Sequence, residues 1–194
     1  MLLEHMTWAE VDDYLKKDDR IILPTASCEE HGRHMPLGND SITAYTIAGM
    51  LGERANVLVA PPMAYGMSMP LIDFPGTLSL QASTFQAAVM DILYCLYRQG
   101  FRRVFVVNGH GENSPCLEAI VPQALSNFPG LQIKIRTWFT HPKVVAMVEE
   151  SFTRPDGHAG ANETSVCLYL RPDLVKMELA EGVPPVRQAI FYGP

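Results

Sequence analysis

The chain has 194 residues, enough for one domain with a real core and short for two. Apolar residues make up 47% and charged residues 19%, which excludes a disordered chain. The formal charge of −6 is spread without a basic run, which argues against nucleic acid or an anionic membrane as a partner.

The start, MLLEHMTWAEVDDYLKKDD, carries acids where a secretory leader needs bases, and no window approaches the ~20 apolar residues of a membrane span. The protein therefore reads as cytoplasmic. Thr7 and Glu10 form a capping box that opens a first helix, with Trp8, Val11, Tyr14 and Leu15 on one face. Ile21 to Leu23 is a buried strand, followed by the polar loop PTASCEEHGRHMPLGND and a helix over about 41–53. Val57 to Ala60 is a second strand, closed by Pro61 and Pro62. Ser83 and Gln86 form another capping box, predicting a helix that runs to Gln99 and stops at Gly100. Val104 to Val107 is a third buried strand that runs straight into NGHGEN, and Ser114 with Pro115 starts a helix to about Asn127. Leu131 to Trp138 alternates as a fourth strand, and two more helices are predicted near 143–152 and 161–170. From Lys176 onward, through Pro184, Pro185 and Gly193-Pro194, no closing helix or strand is predicted.

Strands alternating with helices, and carrying continuous β-branched runs, predict an α/β fold with a mostly parallel sheet covered on both faces. In such sheets ligands bind at the loops beyond the carboxyl ends of the strands. The four cysteines, Cys28, Cys95, Cys116 and Cys167, form no CxxC pair, which argues against a zinc ribbon or a disulfide framework. Three of them fall in apolar helical segments and read as core, and Cys28 reads as packing too.

Chemistry concentrates in the loops. The first holds Glu29, Glu30, His31, His34 and Asp40. Carboxylate with imidazole suits zinc, manganese or iron(II) better than calcium. In extended backbone Glu29 and His31 point to one side, and Gly38-Asn39 lets Asp40 return at the start of a helix. Alone, such a loop is as readily a solvated acidic segment. NGHGEN adds His110 and Glu112, again two apart and again just past a buried strand. Three carboxylates and two imidazoles on one rim are the usual inventory for two metals with a bridging carboxylate. A phosphate cradle ranks below that, because the glycines frame a His and a Glu and no lysine follows. In the third segment, DGHAGANETS, His158 precedes a helix and Glu163 sits in its first turn, where an acid also suits the positive helix end. His34, three beyond His31, is expected outside the metal shell, bonded to a loop carbonyl or a ligand carboxylate.

Four blocks in order, LPTASCEEHGRHMPLGND, FPGTLSL, VNGHGEN and HAGANETS, resemble the creatininase (creatinine amidohydrolase) family, and the resemblance runs from TWAEV to LRPDLV. It implies a three-layer α/β/α fold, a single creatininase-like domain over residues 1–194 that lacks the family's last C-terminal helix, and a homo-oligomer, often a hexamer. It also implies two divalent metal ions, zinc or manganese, with iron(II) the other candidate. Glu29 and His110 would hold one and His31 and Glu112 the other, with Asp40 bridging. His158 matches the histidine that passes protons, Glu163 would orient it or a ligand, and Glu112 has a possible double role as proton carrier. The implied reaction is attack of activated water on the carbonyl of a small amide, of formamide or cyclic type. Relatives also cleave peptide-type amides and a cyclic sugar ketone, so a cyclic ketone or lactone is the alternative substrate, and a non-catalytic metal-binding subunit the alternative role. Creatinine-hydrolysing members carry a glutamate directly before the histidine and a tryptophan upstream. This chain has Gly157 there, and upstream Phe152, Arg154, Pro155 and Asp156. Where many relatives have an acid and a histidine it has Pro70 and Leu71. These departures imply a pocket not built for creatinine.

Overall fold

Apolar runs at four places form short strands, Arg20–Thr25 (β1), Leu58–Val59 (β2), Arg103–Asn108 (β3) and Gln132–Thr137 (β4), all paired in parallel in the order β2-β1-β3-β4. The structure, a computed structural model, describes residues 1–152 and 157–181. The proline-rich tail expected past residue 181 and the segment at Arg154, Pro155 and Asp156 lie outside the described residues. Between and around the strands run helices Trp8–Leu15 (α1), Asn39–Ala55 (α2), Ala82–Gln99 (α3), Asn113–Asn127 (α4), Pro142–Ser151 (α5) and Ala161–Leu170 (α6).

Because side chains alternate along a strand, β1 is apolar on both sides and needs a cover on each. Ile21 and Leu23, with Val104 and Val106 of β3, pack against Phe85, Val89 and Leu93 of α3 and Leu117 and Ile120 of α4. Ile22, Val59 and Val107 face the other way, onto Ala48 of α2. The result is the three-layer α/β/α sandwich that the sequence predicts.

Several local expectations are corrected. The helix expected to open at Ser83 starts a residue earlier, at Ala82, with Gln81 as its unbonded N-cap. Ser83 is already inside the first turn, where its backbone is helical and it cannot act as an N-cap. The Thr7–Glu10 capping box does form, but Trp8 is 84% exposed and does not share the buried side of α1. Cys116 and Cys167 are buried as expected, whereas Cys95 is exposed, on the solvent side of α3.

The loop ends of β1, β3 and β4 are tied by one buried side chain. Asn108 Oδ1 accepts from Thr25 Oγ1 at 3.0 Å and Asn113 Nδ2 at 3.3 Å. Its Nδ2 donates to Thr137 Oγ1 at 3.0 Å, Ser114 Oγ at 3.2 Å and the His110 carbonyl. Replacing Asn108 with Ala leaves these buried groups without their partner, which should lower unfolding free energy by about 3 kcal/mol. Urea titration checks this; a loss below about 0.5 kcal/mol would show that the node does not hold the strand ends together.

Candidate metal centre

Pairing of Thr25 with Asn108 brings the carboxyl ends of β1 and β3 side by side, and with them the two motif loops. The loop after β1 is folded back by a bond from the Glu29 N–H to the Leu37 carbonyl at 3.0 Å. The α2 helix begins at Asn39, two residues before the expected start, so Asp40 sits in its first turn. Gly109 then admits the second loop. A Cβ there would lie 2.7 Å from the Asp40 carbonyl oxygen and 2.8 Å from Ala44 Cβ, so only glycine lets β3 turn this close to α2.

Glu29, His31, Asp40 and His110 thereby converge, with Glu29 and His31 each 1% exposed and Asp40 2%. His110 Nδ1 lies 3.0 Å from Asp40 Oδ2 and 3.2 Å from Glu29 Oε1, and His31 Nε2 lies 3.0 Å from Asp40 Oδ1. Asp40 therefore stands between the two imidazoles, one oxygen toward each. Each ring's other nitrogen is tied to backbone: His31 Nδ1 donates to the Glu29 carbonyl at 3.1 Å, and His110 Nε2 to the Met67 carbonyl. Carbonyls only accept, so each outer nitrogen carries a proton, and the inward nitrogen is the one that faces Asp40, able to hold a proton toward it or a lone pair toward a cation.

The remaining expected residues are distributed differently from the sequence reading. Glu163, expected to orient a neighbour, brings its Oε2 to 3.9 Å from His31 Nε2, and the Ala159 N–H donates to that oxygen at 2.7 Å. Glu112, expected beside His31, instead lies 4.0 Å from His110 Nε2 and is partly exposed. Among the described residues, three groups place ligand atoms within 4.8 Å of one another: Glu29, Asp40 and His110; His31, Asp40 and Glu163; and Glu29, His31 and His158. Glu112 belongs to none of them. His158 reaches the cluster from the turn before α6, its Nδ1 3.6 Å from Glu29 Oε1. The left-handed residue of that turn is Ala159, at φ 54°, rather than Gly157 or Gly160. His34 turns away from the centre, and its Nε2 meets Thr164 Oγ1 at 2.9 Å, a hydroxyl rather than the expected carbonyl or carboxylate.

Three buried atoms at the centre, Glu29 Oε2, His31 Nε2 and Asp40 Oδ2, complete no well-aligned hydrogen bond, although His31 Nε2 and Asp40 Oδ2 each face an opposite group at 3.0 Å. Each is a lone-pair donor of a type that zinc or manganese accepts, so the residues present fit a divalent ion. A cavity of about 680 Å³ opens beside the cluster, lined by Leu71, Phe139, Val145 and Val148 together with Glu29, His110, Glu112 and His158. That volume suits a small molecule.

Comparison with known proteins identifies the family. Residues 4–192 match the family model described as "Creatininase: Creatinine amidohydrolase". The chain is 31% identical over 198 residues to the creatinine amidohydrolase of Pseudomonas putida, covering 93% of this chain and 75% of that one. It is 34% identical over 182 residues to the mycofactocin precursor peptide peptidase of Mycolicibacterium smegmatis, covering 86% and 68%. The 3-dehydro-scyllo-inosose hydrolase of Thermotoga maritima is 28% identical over 189 residues, covering 93% and 59%. A solved structure, "Creatininase Mn", superposes with a TM-score of 0.87 at 29% identity, covering 98% of this chain and 80% of that one. The chain belongs to the creatininase family. Members of this family are hydrolases, and this chain shares their fold.

Burial opposes charge on both imidazoles, but the carboxylates beside them outweigh it. Asp40 lifts His31 to about 9, and Asp40 with Glu29 lifts His110 to about 10. Burial likewise opposes the Asp40 charge, and the two imidazoles overcome it, holding its carboxyl below the usual range. Burial pushes Glu112 and Glu163 up. Both histidines thus gain protons on folding, relative to an ordinary value of 6.5. The stability this gives metal-free protein is complete below pH 6.5, and is lost as pH rises through 9 to 10. For chelator-treated protein, the urea midpoint should fall between pH 7 and 10, and His110→Asn should flatten that slope. A wild-type midpoint that holds level or rises would contradict the assignment.

Proposed function

We propose that this chain hydrolyses a small amide with two divalent cations held by Glu29, Asp40 and His110 on one side and His31, Asp40 and Glu163 on the other. The observation that carries this reading is the convergence of buried donor atoms on Glu29, His31 and Asp40 whose hydrogen bonds are incomplete. Burying unpaired carboxylate and imidazole lone pairs is costly unless a cation meets them. Zinc and manganese suit the mixed oxygen and nitrogen donors best, with iron(II) the third candidate. When bound, such cations acidify water and polarise a carbonyl.

The chain's own residues supply the rest. His158 lines the cavity within reach of Glu29 and outside the two proposed ligand sets, placed to carry a proton to the departing nitrogen. Glu112, raised by burial and facing the same cavity, is the second proton carrier. The apolar walls exclude water and favour a substrate with an apolar body. Pro70 and Leu71 stand at the cavity, and Gly157 brings no carboxylate to it, which supports an amide other than creatinine. A formamide or cyclic amide fits this reading, and the mycobacterial relative named a peptide peptidase makes a short peptide amide a substrate of the same class. The Thermotoga maritima relative, named for hydrolysis of an inosose, favours a cyclic ketone as the second reading.

Self-association belongs to the same proposal. Ile72, Phe74 and Leu78 are each about half exposed, on the loop that runs past the cavity mouth, and such a patch suits a second copy of the chain. The free cysteines support a cytoplasmic setting.

A panel of formamides, cyclic amides, short peptides and cyclic ketones, assayed with added zinc or manganese, tests the reaction class. Turnover of an amide by metal-loaded protein, abolished by chelator, is the expected outcome; cleavage of ketones alone would replace the reading with its alternative. On the amide so found, His158→Asn should retain near-normal metal while losing turnover ~10²–10⁴-fold. Full activity in that variant would remove His158 from the proton path.

A further inference from the structure

Two adjacent acids in the first loop have opposite fates: Glu29 points into the metal cluster, while Glu30 passes to the far side of His158. We infer that Glu30 is a positioning residue that holds His158 as the Nε2–H tautomer, so that Nδ1 is the nitrogen presented to the cavity. This rests on the reading of His158 as the proton carrier.

The geometry places a proton on Nε2. His158 Nε2 lies 2.7 Å from the Glu30 carbonyl oxygen and 3.2 Å from Glu30 Oε1, across 128 positions of sequence. A carbonyl accepts and never donates, so the proton between them sits on Nε2. The carboxylate oxygen adds a charge-assisted acceptor on the same nitrogen, narrowing the ring's orientation further. Nδ1 is left 3.6 Å from Glu29 Oε1, and the ring lies against His31 with centroids 4.8 Å apart. Only Nδ1 can then take a proton from water in the cavity and deliver it to a leaving nitrogen.

Glu30 is itself held by two further bonds, which separates it from a solvated surface acid. Its N–H donates to Thr77 Oγ1 at 3.0 Å, and its Oε2 accepts the Gly32 N–H at 2.8 Å. Gly32 adopts φ +68°, and a Cβ there would sit 2.9 Å from the His34 ring, so that turn depends on glycine. With Oε2 engaged by its own loop, Oε1 is free for His158. An asparagine-like amide could not serve both, because it has a single accepting oxygen.

The test uses zinc-loaded protein with 15N-labelled histidine, and reads the ring nitrogens of His158 by long-range proton–nitrogen correlation. His158→Asn identifies the signals. In the wild type the proton should be on Nε2 and Nδ1 should be bare; a proton on Nδ1, or zinc bound to Nδ1, overturns the inference. Glu30→Ala keeps the carbonyl but loses the second acceptor and the bond to the Gly32 N–H that braces the turn, so the two nitrogen signals should move part of the way toward each other as the ring samples both tautomers, while His31 and His110 keep theirs. Glu30→Gln, which preserves size, should shift them in the same direction by less, and serves if the alanine variant fails to fold. Unchanged His158 signals in the folded variants would reduce Glu30 to a tether for the turn. On any substrate found, Glu30→Ala should lower kcat roughly 10–100-fold with KM held, and should cost nothing further in a His158→Asn background. Additive losses would overturn the inference. The nitrogen signals need no substrate, so failure of the hydrolase reading and failure of this one are told apart.

Discussion

Three carboxylates, Glu29, Asp40 and Glu163, and two imidazoles are packed at the mouth of a parallel sheet with almost no water to share. Like charges so close and so buried repel, and the protein interior does little to screen them. The surrounding structure is organised around that constraint. Backbone carbonyls of Glu29 and Met67 hold the outer nitrogens of His31 and His110, so the inner ones are left to face Asp40. Asp40 divides its two oxygens between the rings. Without a cation, protons on the imidazoles balance the acids; a divalent ion would do so with more charge and with a use in catalysis.

Sheet topology makes such packing possible. Because β1 and β3 are parallel neighbours, their following loops leave from the same edge, and residues 83 positions apart in sequence, Thr25 and Asn108, bond directly. Asn108 locks the strand ends, and Gly109 brings the loop against the first turn of α2. Then α6, lying against α2, brings Glu163 to the third side. Asp40 and Glu163 thus sit in the first turns of helices, and Glu29, His31 and His110 in loops pinned between the strand ends and α2, which limits their freedom.

Much of this was legible in the sequence. Apolar runs marked the strands, and the two-residue spacing of Glu29 with His31 and His110 with Glu112 put polar side chains beyond them. What the spacing could not show was which acid faces which ring. Glu112 shares a motif with His110 yet lies outside the cluster, because the chain enters α4 directly after it, with Glu112 itself as the N-cap. Glu163 sits alone in the first turn of a helix, where an acid also suits the helix dipole, so only the contact of α6 with α2 reveals its position. The tautomer-setting carbonyls leave no trace in a sequence, since every residue has one. Asn108 read merely as a motif residue because its partners lie on two other strands, a helix and its own loop. His34 differs from His31 only by the Gly32 turn, and that turn sends it to Thr164 instead.

Metal counting on purified protein tests the central claim most directly. Equilibrium dialysis against zinc, followed by elemental analysis, should give two ions per wild-type chain, and Glu163→Gln should lose one of them while His110→Asn weakens the other. Fewer than one ion per chain, or a Glu163→Gln protein that binds zinc as the wild type does, would contradict it.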